Sequence, residues 1–430
     1  MDDADIQRML QAAVQERRAG RPEIAAGLFR DVLAQAGEHP LALNALGMHA
    51  LALSRPGDAA AYFERAIAAD ALAPELWMNL ARARREQRDD AAEAAALEGA
   101  LAIDQRHFMA LVRMAELRER QGDEASAADR WGSVLAMEAS IEERSPALDL
   151  MFDHARAFVR GQRAAFGNTI DRGLAAVREA IPVAERRRAD ACIDHALGRR
   201  AIYANVCAGM HFPFLPAEEY FARAHFPWLA EIEAKTDMIR AELETILAED
   251  AAAIRPYVAM PPGTPQNKWS ALDHSLQWGA LHLWKDGARD DAACARAPRT
   301  AEAIAALPLS DLPGRTPTVF FSLLQPGAHL PAHTGVSNVR SIVHLPLIVP
   351  PGCSFRVGGE ERDWRAGEAW VFDDTIEHEA WNRSDRMRAI LIFDVWNPYI
   401  TETERDLLRR FYAVAAETDV AGQSALGVSD

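Results

Sequence analysis

The stretch HTGVSNVRSIVHLPLIVPPG, His333 to Gly352, decides how the last third of the chain folds. From Arg340 it is a β-branched, apolar run closed by Pro-Pro-Gly, the composition of a strand that ends in a turn. Arg340, Ile342 and His344 alternate, so they share one strand face. The stretch opens on His333, and a further histidine follows in DDTIEHEAW, at His378. Histidines in this arrangement are candidate metal ligands, yet the position two residues after His333, where an iron site usually adds a carboxylate, holds Gly335.

Outward from this stretch the texture stays β. PTVFFSLL, CSFRVGG, GEAWVFDDT and RAILIFDVW are short β-branched or aromatic runs separated by Pro, Gly and Asp turns. Such strands without intervening helices predict a sandwich, jelly roll or barrel. The 45 residues between His333 and His378 are enough for a strand, a turn and a return in a double-stranded β-helix, which would bring the two rings together. Two histidines held this way suit a divalent iron with open positions. Arg388 begins RAILIFDVW, where a strand-borne guanidinium deep in a pocket can pair bidentately with a carboxylate. Ser322 adds a candidate hydroxyl donor. A last helix, TETERDLLRRFYAVAAE, opens on a Thr401 cap, and the final residues, 417–430, read as a flexible tail.

The first third has another period. At a step of 34 residues, Phe29, Phe63, Leu97 and Trp131 form one register, and Leu33, Ile67, Leu101 and Leu135 a second. Leu43-x-x-Leu46-Gly47 recurs as Trp77-x-x-Leu80-Ala81 and Leu111-x-x-Met114-Ala115, with the small residue placed for a close helix crossing. This resembles the tetratricopeptide repeat, and it predicts a helical solenoid over residues 1–140 whose groove holds a peptide or protein segment. Residues 141–211 read as a helical linker. MIRAELETIL is an amphipathic helix with Ile239, Leu243, Ile246 and Leu247 on one side.

Composition narrows the function classes. At 430 residues the chain is too long for one core. The net charge of −16 argues against nucleic acid or an anionic membrane as partner. No apolar run reaches the roughly 18 residues of a membrane helix. The start, MDDADIQRML, is unlike a secretory signal, and the four cysteines form no C-x-x-C pair, so the expectation is a cytoplasmic protein without disulfides or a thiolate zinc site.

The segments SLLQPGAHLPAHTGVSNVRSIVHLPLIVP and FDDTIEHEAWNRSDRMRAILIFDVWNP, together with FPWL and KDGARDDAACARAPRT upstream, resemble the aspartyl/asparaginyl β-hydroxylase family over residues 212–400. The resemblance implies a double-stranded β-helix oxygenase over 212–416 that uses Fe(II), 2-oxoglutarate and O2. It implies His333 and His378 as iron ligands, with Gly335 matching members that dispense with the carboxylate. Asp374 falls where a carboxylate would steady the water in that vacancy. Ser322, His344 and Arg388 fall on positions that bind 2-oxoglutarate, and Arg340 is the residue expected to orient the substrate. Two departures remove positive charge: Ile342 stands where the family often has a second arginine, and Asp273-His274 where some members have an arginine for the substrate's acid.

The expected function is therefore hydroxylation of an unactivated carbon, on an Asp/Asn-type residue in a peptide or protein recruited by the repeats. Hydroxylation of a small molecule or a lipid acyl chain is the alternative within the family. Halogenation, in which the space at Gly335 takes chloride, and a repeat scaffold without catalysis are the alternatives outside it.

Overall fold

The computed structural model describes residues 3–417 and divides into two compact units, which meet in sequence between Asp190 and Ala191. The expected tail, 417–430, lies outside the described residues except for Glu417.

The first unit is built of antiparallel helix pairs: α1 (Asp3–Arg18), α2 (Pro22–Ala36), α3 (Pro40–Ala52), α4 (Pro56–Ala69), α5 (Pro74–Glu86), α6 (Asp90–Ile103), α7 (Phe108–Gln121) and α8 (Glu124–Ala136). Proline at the first position starts α2 to α5, where its missing N–H costs no helical hydrogen bond. Asp89 and Asp123 cap α6 and α8 through their carboxylates. The predicted register is the core: Phe29, Phe63, Leu97 and Trp131 are each no more than 2% exposed. Each such side chain contributes about 1.5–3 kcal/mol when removed from water. The small residue at the crossing is a steric requirement, because a Cβ on Gly47 would lie 2.5 Å from the Phe63 ring. Gly99 meets the same demand against Trp77.

The expected linker, 141–211, divides. A long helix, α9 (Pro146–Ala180), extends the array by packing Phe152 and Ala155 on Trp131 and Val134. It is followed by α10 (Val183–Ala196), in which the two units meet in sequence. Residues 199–218 are neither helix nor strand. They form a strap whose backbone amides bond to the β unit: Val206 to the Thr375 carbonyl (2.8 Å), Ala208 to Gly335 (3.2 Å) and Gly209 to Val336 (2.8 Å). The Pro, Phe and Gly content of this stretch disfavours a helix, and its amides find partners on neighbouring loops instead.

The second unit has two antiparallel sheets. One runs β1 (Arg255–Pro256), β2 (Trp278–Lys285), β4 (Val319–Leu324), β11 (Arg388–Trp396), β6 (Arg340–Ile348), β9 (Trp370–Phe372), with β3 (Ala288–Arg289) also on β2. The other runs β5 (His329–His333), β10 (His378–Asn382), β7 (Cys353–Val357), β8 (Glu360–Asp363). From β4 to β11 the chain passes repeatedly from one sheet to the other, with β7 and β8 forming a hairpin within the smaller one. The larger sheet is covered on its outer face by α11 (Leu229–Glu233), α12 (Thr236–Glu249), α13 (Asp291–Arg296) and α14 (Pro298–Ala305). Ile239, Leu243 and Ile246 of α12 pack there on Leu281, Phe321, Leu345 and Leu391. Alternation then points His282, Phe320, Ser322, Ile342, His344, Ile390 and Ile392 at a cavity. The last helix, α15 (Glu402–Glu417), begins as expected: Thr401 accepts from the Glu404 amide, and Glu404 reaches back to the Thr401 amide (2.8 Å). No helix among the described residues is long and apolar enough to cross a membrane.

Candidate active site

The predicted residues converge on one cavity of about 690 Å³: Ser322, His333, Arg340, His344, Asp374, His378 and Arg388 all line it. His333 ends β5 and His378 begins β10, and the antiparallel register sets them directly opposite each other. Their ring centroids lie 4.0 Å apart. Each Nδ1 faces the carbonyl two residues before it, Pro331 at 2.7 Å and Ile376 at 3.0 Å. A carbonyl only accepts, so each Nδ1 carries the proton and each Nε2 keeps its lone pair, the tautomer a metal requires. Burial, with His333 beside it, holds the His378 imidazole well below the usual histidine range and therefore neutral.

The vacancy after His333 is filled through space. The Gly335 amide donates to the Asp374 carbonyl (2.6 Å), and a Cβ on Gly335 would overlap the Asp374 carboxylate. Asp374 thus occupies the place that a side chain at 335 would take, beside the two histidines. Among the described residues no group of three or more His, Cys, Asp or Glu is arranged to hold a metal ion.

Deeper in the cavity is an unneutralised cation. Arg388 is 1% exposed; its Nη1 lies 3.4 Å from both the carbonyl and the hydroxyl of Ser322, and its Nε has no partner among the described residues. Burial pushes the guanidinium down to about 9. Trp364 covers it, with the guanidinium carbon 4.5 Å from the ring centre. Next to it His344 is buried with Nδ1 unpartnered, and burial plus the Arg388 charge holds it well below its ordinary pKa. A buried guanidinium without a carboxylate, and a buried imidazole nitrogen without a partner, are the marks of a site shaped for an anionic, oxygen-rich ligand. Two histidine lone pairs and this anion site together fit a divalent metal chelated by a keto acid.

Other residues complete the site. Trp278 donates through Nε1 to the Ser322 hydroxyl (3.1 Å) and stacks on Tyr257 at 3.8 Å. Trp269 stands edge-on to His333 at 4.8 Å. Asp394 pairs with Arg340 at 2.7 Å. Sequence reasoning missed Trp364 and Trp269. It had a means to find Asp394, which alternates with Ile390 and Ile392 on one face of β11. Asp273 and His274 do not line the cavity; Asp273 accepts from the Met260 amide (2.8 Å), and Met260 does line it.

Residues 233–398 match the family model for aspartyl/asparaginyl beta-hydroxylase, and residues 10–74 and 44–107 match one for the tetratricopeptide repeat. The aspartyl/asparaginyl beta-hydroxylase of Homo sapiens is 37% identical over 130 residues, 30% of this chain and 17% of that protein. The ornithine lipid ester-linked acyl 2-hydroxylase of Rhizobium tropici is 35% identical over 179 residues, 41% of this chain and 59% of that protein. The chain therefore spans less than two thirds of either relative. Among solved structures, that of MamA aligns at 17% identity and a TM-score of 0.30, over 34% of this chain and 90% of that one.

Proposed function

We propose that this chain, which belongs to the aspartyl/asparaginyl β-hydroxylase family through its C-terminal domain and carries tetratricopeptide repeats ahead of it, is an Fe(II)- and 2-oxoglutarate-dependent oxygenase that hydroxylates an unactivated carbon. The observation that carries the reading is the pairing of two opposed histidines, both with protonated Nδ1, with the uncompensated Arg388 guanidinium in one cavity.

Fe(II) would be held by Nε2 of His333 and of His378. Bound there, it supplies the O2 chemistry that couples oxidative decarboxylation of 2-oxoglutarate to succinate with insertion of one oxygen atom into a C–H bond. The protein's part is placement. Arg388 and the Ser322 hydroxyl hold the distal carboxylate of the cosubstrate, and Trp278 keeps that hydroxyl oriented by donating to it. His344 lines the cosubstrate end of the cavity as a neutral imidazole. Asp374, which fills the space at Gly335, accepts a hydrogen bond from a ligand bound beside the two histidines. Trp269, Phe355, Trp364 and Phe372 exclude water around the histidines.

The substrate is proposed to be a peptide or protein recruited by the helical array, since such arrays present an extended surface to polypeptides. A second reading, hydroxylation of an acyl chain, is favoured by the Rhizobium relative and by the apolar wall of Phe320, Ile342, Ile390 and Ile392. Anaerobic loading with Fe(II) and 2-oxoglutarate, followed by O2, is expected to yield succinate with the full chain and none with His333→Ala. A chain that binds neither Fe(II) nor 2-oxoglutarate would sink the proposal.

A further inference from the structure

Arg340 is the cation that the sequence marks for the substrate, but in the structure its charge faces inward. It is 3% exposed, and its Nη1 donates to Asp394 Oδ2 at 2.7 Å. The other oxygen of Asp394 accepts from the Thr318 amide at 2.9 Å, so this carboxylate is fixed from both sides. The second arm of Arg340 reaches Asp374, Nη2 to Oδ2 at 3.7 Å. Asp374 is itself 6% exposed and fills the space beside Gly335, two residues from His333. One guanidinium thus lies between two buried carboxylates, already matched twice over. Ile342, opposite Asp394 in the β6–β11 register, brings no second cation.

We infer that Arg340 is a positioning residue for Asp374: it holds that buried carboxylate in the space at Gly335, beside the histidine pair, rather than receiving the substrate's acid. A buried carboxylate without a partner swings toward water. The Asp394–Arg340–Asp374 relay prevents this by tying β11 to the loop before β10. Groups in this relation to a metal's ligands typically change its affinity about 10- to 100-fold. The inference rests on the oxygenase reading and adds a role for one residue within it.

The test uses Mn(II) as probe, titrated into the full chain and followed by the loss of the free-ion EPR signal. Removing Arg340 alone strands Asp394, so the main variant is Arg340→Gln/Asp394→Asn, which deletes the pair together. It is expected to weaken Mn(II) about 10- to 100-fold, and Asp374→Asn should weaken it to a similar degree with little further loss when the three changes are combined. Arg340→Lys, which keeps the charge, should bind more tightly than the double variant. If Arg340→Lys and the double variant both bind Mn(II) as wild type does, the inference is overturned while the oxygenase reading stands. If wild type binds Mn(II) no better than His333→Ala, the oxygenase reading itself falls, and this role for Arg340 falls with it.

Discussion

The two units dispose of charge in opposite ways. In the helical array, arginines reach between helices to glutamates at the surface: Arg65 to Glu38 at 2.7 Å and Arg85 to Glu116 at 2.6 Å. Among the described residues of the array only Glu93, 1% exposed, is a deeply buried charge, and Arg120 meets it at 2.5 Å. In the β unit Arg340, His344, Asp373, Asp374, Asp394 and Arg388 are all buried near one cavity. Surface pairs contribute little to stability, whereas buried charge is costly unless it is paired or serves a ligand. The contrast separates a part whose charges lie at its surface from a part whose charges surround a cavity. It also says where a substitution will be felt as folding and where as chemistry.

The comparison breaks most sharply at the histidine pair. His378→Ala should abolish metal binding and succinate formation, measured by titration and product assay, while the array's unfolding transition stays in place. Phe63→Ala is the converse. It opens a cavity among Leu43, Leu80 and Leu97, and should cost about 3–5 kcal/mol in the array's transition. Denaturant unfolding followed by circular dichroism reads that loss, with uncoupled 2-oxoglutarate turnover unchanged.

Arg388→Met tests both halves of the idea at once. Loss of the charge should weaken 2-oxoglutarate by about 2–5 kcal/mol, seen by calorimetry. The melting temperature should hold or rise, because an apolar side chain replaces an uncompensated buried charge. A fall in stability together with unchanged 2-oxoglutarate affinity would mean that Arg388 is structural.

The smallest effect is expected at Glu116. Burial pushes its carboxyl up, but the guanidiniums of Arg85 and Arg113 outweigh this and hold it below its ordinary value of 4.5. Its folded value is depressed, so its contribution is full above the unfolded value and is lost as pH falls through the folded one. Glu116→Gln should therefore lower the array's stability at neutral pH slightly and make it less sensitive to acid below about pH 4.5.

Much of this was legible in the residues, and the exceptions have physical reasons. β4, β6, β7, β9 and β11 were readable because β-branched runs between turn residues have few other uses. β5 was hidden: Pro326 precedes it and Pro331 lies within it, so QPGAHLPAH reads as a turn. β2 was hidden because helices cover one face and the cavity's aromatics the other, so the polar alternation of a half-exposed strand is missing. The histidines and Arg388 were legible as a set, since three such groups at strand ends point one way. The position of Asp374 in the space at Gly335 was not, because a through-space substitution for a missing side chain leaves no spacing to read. Nor was the double engagement of Arg340, which depends on a register across β6 and β11 that only the folded sheet supplies.

The strap of residues 199–218 gives the molecule a rule of assembly. Asn205 donates to Asp373 and Thr375, Ala208 to Gly335, and the Ser337 hydroxyl to the Met210 carbonyl, so this stretch is stitched to the loops that follow His333 and precede His378. A fragment begun at Phe212, where the composition changes, would leave those loops with orphaned partners. One begun at Ala191 would carry them along. The connector is thus no neutral spacer whose length evolution or an engineer can vary freely, and any graft of this domain onto another module has to bring this stretch with it.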